Sequence, residues 1–121
     1  MKGTLLLVVL LIFSSCEMSV EQDIRYIEHL LDVELKDGYQ IKNKQYDFTI
    51  GDSIKSFDIV FDDSTFDLFF YEVESIFIPI DKTLIDKKNL DYYKNFDFGD
   101  TRVHFSINLK EKTLHYTYAD L

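Results

Sequence analysis

The apolar positions Val20, Ile24, Ile27 and Leu31 recur at helical spacing, and Ser19 with Gln22 forms a capping box ahead of them. The pattern predicts a first amphipathic helix from Val20 to Val33, with a stop around Asp37 and Gly38. The period then changes. Tyr39 and Ile41, followed by Tyr46, Phe48 and Ile50, alternate with polar neighbours, and after Gly51-Asp52 so do Phe57, Ile59 and Phe61. Two antiparallel strands joined near Gly51 are expected.

Ser64 with Asp67 signals a second helix, on which Phe66, Phe69, Phe70, Val73 and Phe77 fall on one face, with Phe70 in the middle of the stripe. Pro79 ends that run or lies in a short extended piece, and residues 81–90 read as a loop. Val103, Phe105, Ile107 and Leu109 alternate with polar residues, as do Leu114, Tyr116 and Tyr118 after the charged turn Lys110-Glu111-Lys112, so a closing hairpin is expected. Phe96 and Phe98, ahead of Gly99-Asp100, suggest one further strand. This order of elements predicts an α+β fold, an antiparallel sheet of four to five strands with two amphipathic helices packed on one face.

The first fifteen residues follow a different logic. Lys2 precedes an unbroken apolar run from Leu5 to Phe13, and the small residues Ser14 and Ser15 separate that run from Cys16. This is the order of a secretory signal, and the run is far shorter than the roughly 20 residues a membrane-spanning helix needs. The junction Phe13-Ser14-Ser15-Cys16 resembles the lipobox of bacterial lipoproteins, with Phe13 where leucine is commoner. The resemblance covers the leader and Cys16 alone. It implies cleavage before Cys16, a diacylglycerol on the thiol and an acyl chain such as palmitate on the freed amine. Cys16 is the chain's single cysteine, and lipidation accounts for a thiol without a disulfide partner. The expected organisation is a signal peptide over 1–15, a lipidated N-terminus and short tether over 16–18, and one α+β domain over 19–121.

Loss of the leader takes Lys2 and leaves 12 basic against 22 acidic side chains, a formal balance of −10. Such a surface repels nucleic acid and anionic headgroups, so membrane attachment falls to the lipid on Cys16. The abundance of Phe, Tyr and Ile, with four Gly and one Pro, is that of a chain able to bury a core.

Candidate chemistry is sparse. His29 belongs to the first helix, and His104 and His115 to the polar face of the closing hairpin. Pairing Leu109 with Leu114 places Asn108 opposite His115 and His104 opposite Ala119, which sets the two imidazoles about 13 Å apart, too far to share an ion. The acidic groups Asp58, Asp62, Asp63 and Asp67, and Asn95, Asp97 and Asp100 around Gly99, lack the ligand order of a calcium loop and read as turn and helix-start carboxylates. A nucleophile elbow, a free thiol after maturation and a glycine-rich phosphate loop are all missing. The sequence therefore leads to no catalytic, cofactor or metal residues, to Cys16 as the single modified position, and to a non-enzymatic envelope lipoprotein. A protein partner is expected, through an inhibitor or immunity type of interaction or as an assembly accessory of an envelope complex, with the outer membrane preferred to the inner.

Overall fold

A computed structural model describes residues 20–49, 51–81 and 90–121. The leader, Cys16, Ser19 and residues 82–89 of the loop expected over 81–90 lie outside the described residues. The described residues fall into two compact units that meet in sequence between Leu35 and Lys36.

In the first unit, residues 20–31 form a helix, α1, on which Asp23, Ile27 and Leu31 are buried at successive four-residue intervals while His29 is exposed. The helix stops earlier than its apolar period suggests. Asp32 adopts a left-handed φ of 53°, and the Val33 N–H donates to the Glu28 carbonyl at 3.1 Å. That i+5 to i bond past a left-handed residue is a Schellman closure, with Asp32 where glycine is usual. The Glu28 carboxylate fastens the exit by accepting from the Leu35 N–H at 2.8 Å.

The second unit carries β1 (Tyr39–Thr49), β2 (Asp52–Phe61), a helix α2 (Asp63–Val73), a 3₁₀ turn (Glu74–Ile76), β3 (Ile78–Pro79), β4 (Tyr92–Asp97), β5 (Thr101–Asn108) and β6 (Thr113–Asp120). The strands make one six-stranded antiparallel sheet in the order β1-β2-β6-β5-β4-β3. The sheet is thus larger than the four to five strands expected. β3 is the addition: two residues pairing with Tyr92 and Tyr93, its proline tolerated because this is an edge.

One face of the sheet is the core. Phe57, Ile59 and Phe61 of β2, Val103, Phe105 and Ile107 of β5, and Leu114 and Tyr116 of β6 are all buried on the side that α2 covers. Phe69 of α2 stacks on Phe61 with centroids 4.7 Å apart, and Phe66 leans on the same ring at 6.0 Å. Phe70 lies on the flank of the stripe, half-buried, its ring against Phe66 and edge-on to Tyr92. Phe77 is buried 6.4 Å from Phe105, but from an extended segment. The helical phase fails there: α2 ends at Val73, one 3₁₀ turn follows, and Phe77 is extended ahead of Ile78, where the next residue, Pro79, disfavours the helical conformation.

The start of α2 also differs from the Ser64 signal. Asp62 is the N-cap residue, yet its side chain makes no capping bond. The chain just ahead of β1 sets the start instead. The Asp62 N–H donates to the Gly38 carbonyl at 2.8 Å, and a Cβ on Gly38, whose φ is +107°, would meet Thr65 Oγ1 at 2.3 Å. Glycine alone allows this approach.

The closing hairpin forms with a shifted register. Asn108 pairs with Thr113, and Leu109 to Lys112 form the turn. Two side chains draw Leu109 out of the ladder: the Asp91 carboxylate accepts from the Leu109 N–H at 2.8 Å, and the Asn108 side-chain oxygen accepts from the Glu111 N–H at 2.9 Å. His104 accordingly faces Thr117 and His115 faces Ser106.

Candidate functional site

The sheet face opposite α2 is polar, and the register assembles its side chains into two rows. One row runs Lys42, Asp58, His115, Ser106 and Tyr93 across β1, β2, β6, β5 and β4; the next runs Gln45, Ser56, Thr117, His104 and Asn95. Between Lys42 and Gln45 the β1 strand bulges, with Asn43 in the left-handed region at φ 58°. The bulge brings the Asn43 amide to Asp58, where Nδ2 donates to Oδ2 at 2.7 Å. The other carboxylate oxygen accepts from His115 Nδ1. His115 Nε2 in turn lies 3.2 Å from the Thr117 hydroxyl. His104 donates Nδ1 to the side-chain oxygen of Asn95. Ser106, between the two histidine positions, is buried at 2% exposure.

Beside these rows a groove of about 340 Å³ is lined by Asn95, Asp97, Arg102, His104, Thr117 and Ala119, among others. Arg102 and Asp97 are cross-strand neighbours on its β4–β5 side.

The two histidines that the sequence set about 13 Å apart are therefore two residues out of register rather than four, about 7 Å along the strands. The chain Asp58, His115, Thr117 has the order of an acid, base and hydroxyl relay. An acyl-transfer site also needs donors aimed at a developing oxyanion, and β6 is paired on both sides, with its N–H groups committed to the ladders with β2 and β5. In this arrangement Asp58 and Asn95 hold the two imidazoles by their Nδ1 atoms.

The acidic groups separate. Asp58 joins the histidine row, and Asp63 pairs with Lys112 at 2.6 Å at the start of α2. Asp97 closes the Gly99 turn by accepting from the Gly99 N–H at 3.1 Å.

A second surface lies on the outward side of α2. Leu68 is 63% exposed and Tyr71 83% exposed, one turn apart on the helix. The segment 62–75 contributes Asp62, Asp63, Asp67, Glu72 and Glu74 and contains no lysine or arginine. Leu68 and Tyr71 are thus exposed apolar side chains on a segment whose own charged residues are all acidic, with Asp63 paired to Lys112 at its start. Sequence phase alone had assigned α2 for its buried stripe. The signal for the outer surface was the pair Leu68 and Tyr71 out of phase with that stripe.

Comparison of the chain with protein-family models, with curated proteins and with solved structures found no match.

Proposed function

We propose that this chain is a lipid-anchored protein of the bacterial envelope, held by acyl groups on Cys16, whose domain binds another protein through the outward face of α2. The observation that carries the binding reading is the exposure of Leu68 and Tyr71 within a wholly acidic helix segment. Large exposed apolar side chains on a helix cost solubility, and aromatic anchors ringed by charge are what tight interfaces use. The partner is a protein with a basic surface, which the acidic field steers toward the helix and whose apolar pocket takes Tyr71. An inhibitor or immunity role against a cationic hydrolase or toxin fits that chemistry best, and the proposed activity is non-enzymatic, with outer-membrane placement.

An assembly role through the sheet edge is the second reading. Among the described residues β1 is an edge strand, but Lys42, Lys44 and the bulge at Asn43 are devices that blunt strand addition, which favours the helix face. A photo-crosslinking residue at position 71 of the full-length protein in its own membranes, compared with one at Lys44, separates the two. Position 71 is expected to yield a salt-sensitive adduct with one basic protein. An adduct from position 44 alone contradicts the helix-face reading.

A further inference from the structure

We propose that the groove over β4, β5 and β6 is a binding site for a neutral polyhydroxylated ligand, the pyranose unit of a glycan. The site shares no residue with the outward face of α2 and stands apart from the protein-binding reading. At about 340 Å³ the groove has the size of a small-molecule site.

Hydrogen bonds within the sheet fix the polar walls and leave part of each group unspent. Asn95 Oδ1 accepts from His104 Nδ1, which leaves both N–H bonds of Asn95 Nδ2 as donors. Asp97 Oδ1 accepts from the Gly99 N–H at 3.1 Å, which leaves the second carboxylate oxygen as an acceptor. The Thr117 hydroxyl meets His115 Nε2 at 3.2 Å, and whichever of the two carries the proton, Oγ1 keeps a lone pair. Arg102 stands across the ladder from Asp97, yet among the described residues its guanidinium has neither a hydrogen bond nor an ion pair. Donors and acceptors thus line one groove and are largely oriented before a ligand arrives, which lowers the ordering cost of binding.

The floor is apolar. Ala119 stands between Ile54 and Arg102 in one cross-strand row, so a small side chain lies at the groove with a 40% exposed Ile54 beside it. That composition selects the ligand. An anion drawn to Arg102 meets Asp97 and the field of a strongly acidic chain, and a cation drawn to Asp97 meets Arg102. A sugar hydroxyl both donates and accepts, so adjacent hydroxyls suit planar amide, carboxylate and guanidinium groups side by side. The C–H face of the same ring suits the Ala119 floor.

Full-length protein labelled for NMR, in a zwitterionic detergent without a sugar headgroup, tests the proposal by titration with glucose, galactose, mannose, N-acetylglucosamine, maltotriose and triacetylchitotriose. At least one of these saccharides is expected to bind saturably, with the Asn95 side-chain amide, Arg102 Nε and the Ala119 methyl shifting together. Arg102→Ala and Asn95→Ala are each expected to weaken it at least tenfold, as is Ala119→Leu, which fills the floor. Lys110→Ala, in the hairpin turn, leaves it unchanged. Arg102 is exposed and without a described partner, so Arg102→Ala is expected to keep the wild-type circular dichroism spectrum and decides the matter if another variant does not fold. Galacturonate and lysine serve as charged controls. Saturable binding by none of the saccharides, tighter binding of either charged control than of every saccharide, or saccharide binding that Arg102→Ala leaves intact overturns the proposal.

Discussion

Phe69→Ala tests the packing of α2 on the sheet. Phe69 is 5% exposed and stacks on Phe61 at 4.7 Å, with Phe66 tilted against it at 6.5 Å. Returning such a ring to water forfeits about 1.5 to 3 kcal/mol of transfer free energy. Its neighbours are aromatic and rigid, so the site collapses poorly. A residual cavity of roughly 50–100 Å³ at about 24 cal/mol per Å³ adds about 1 to 2.5 kcal/mol. The expected loss is about 3 to 5 kcal/mol, read from urea unfolding at 25 °C and accompanied by a fall in Tm of more than about 10 °C. Phe70→Ala is the comparison. Its half-buried ring keeps Phe66 and Tyr92 on one side and solvent on the other, and its loss is expected to cost about 1 to 2 kcal/mol. A Phe70→Ala cost equal to or above that of Phe69→Ala would falsify the placement of the stripe.

Gly38→Ala is expected to destabilise by about 2 to 4 kcal/mol, from left-handed strain and the 2.3 Å clash with Thr65 Oγ1, and Thr65→Ala in the same chain should recover part of it; denaturant midpoints of the single and double variants check this. Asp91→Ala removes the acceptor for the Leu109 N–H and is expected to cost about 1 kcal/mol and to speed hydrogen exchange at Leu109 selectively. Tyr71→Ala, at a position 83% exposed, should change stability by less than about 0.5 kcal/mol. The same substitution should weaken capture of the cross-linked partner by at least about 2 kcal/mol. A comparable loss of stability would mark Tyr71 as structural.

The α+β class and the core were legible because burial imposes a period. Ile27 and Leu31 repeat at helical spacing, Phe57, Ile59 and Phe61 at strand spacing, and those residues are buried as the pattern required. Where a single tertiary contact outweighs the period, the sequence misleads. Leu109 alternates in phase with Ile107, yet a carboxylate 18 residues away captures its amide and moves the hairpin register. Phe77 continues the stripe of Phe66 and Phe69, yet the helix has already given way to a 3₁₀ turn and Phe77 is extended as the chain enters β3. β3 shows in the sequence only as the short extended piece offered at Pro79, being two residues long with one a proline. The histidine rows were illegible for the same reason as the register. Which polar side chains meet across β2, β6 and β5 depends on alignments to the residue, and a two-residue shift turned a pair about 13 Å apart into near neighbours.

The proposed location and partner both depend on the proposed lipid anchor at Cys16. Growth with labelled palmitate, followed by separation of membrane and soluble fractions, tests it on the wild-type chain beside Cys16→Ala. The wild type is expected in the membrane fraction carrying label. Cys16→Ala should lose both label and membrane association while keeping the wild-type circular dichroism spectrum. Retention of Cys16→Ala with the membranes, or a wild-type chain that takes up no label, contradicts the account.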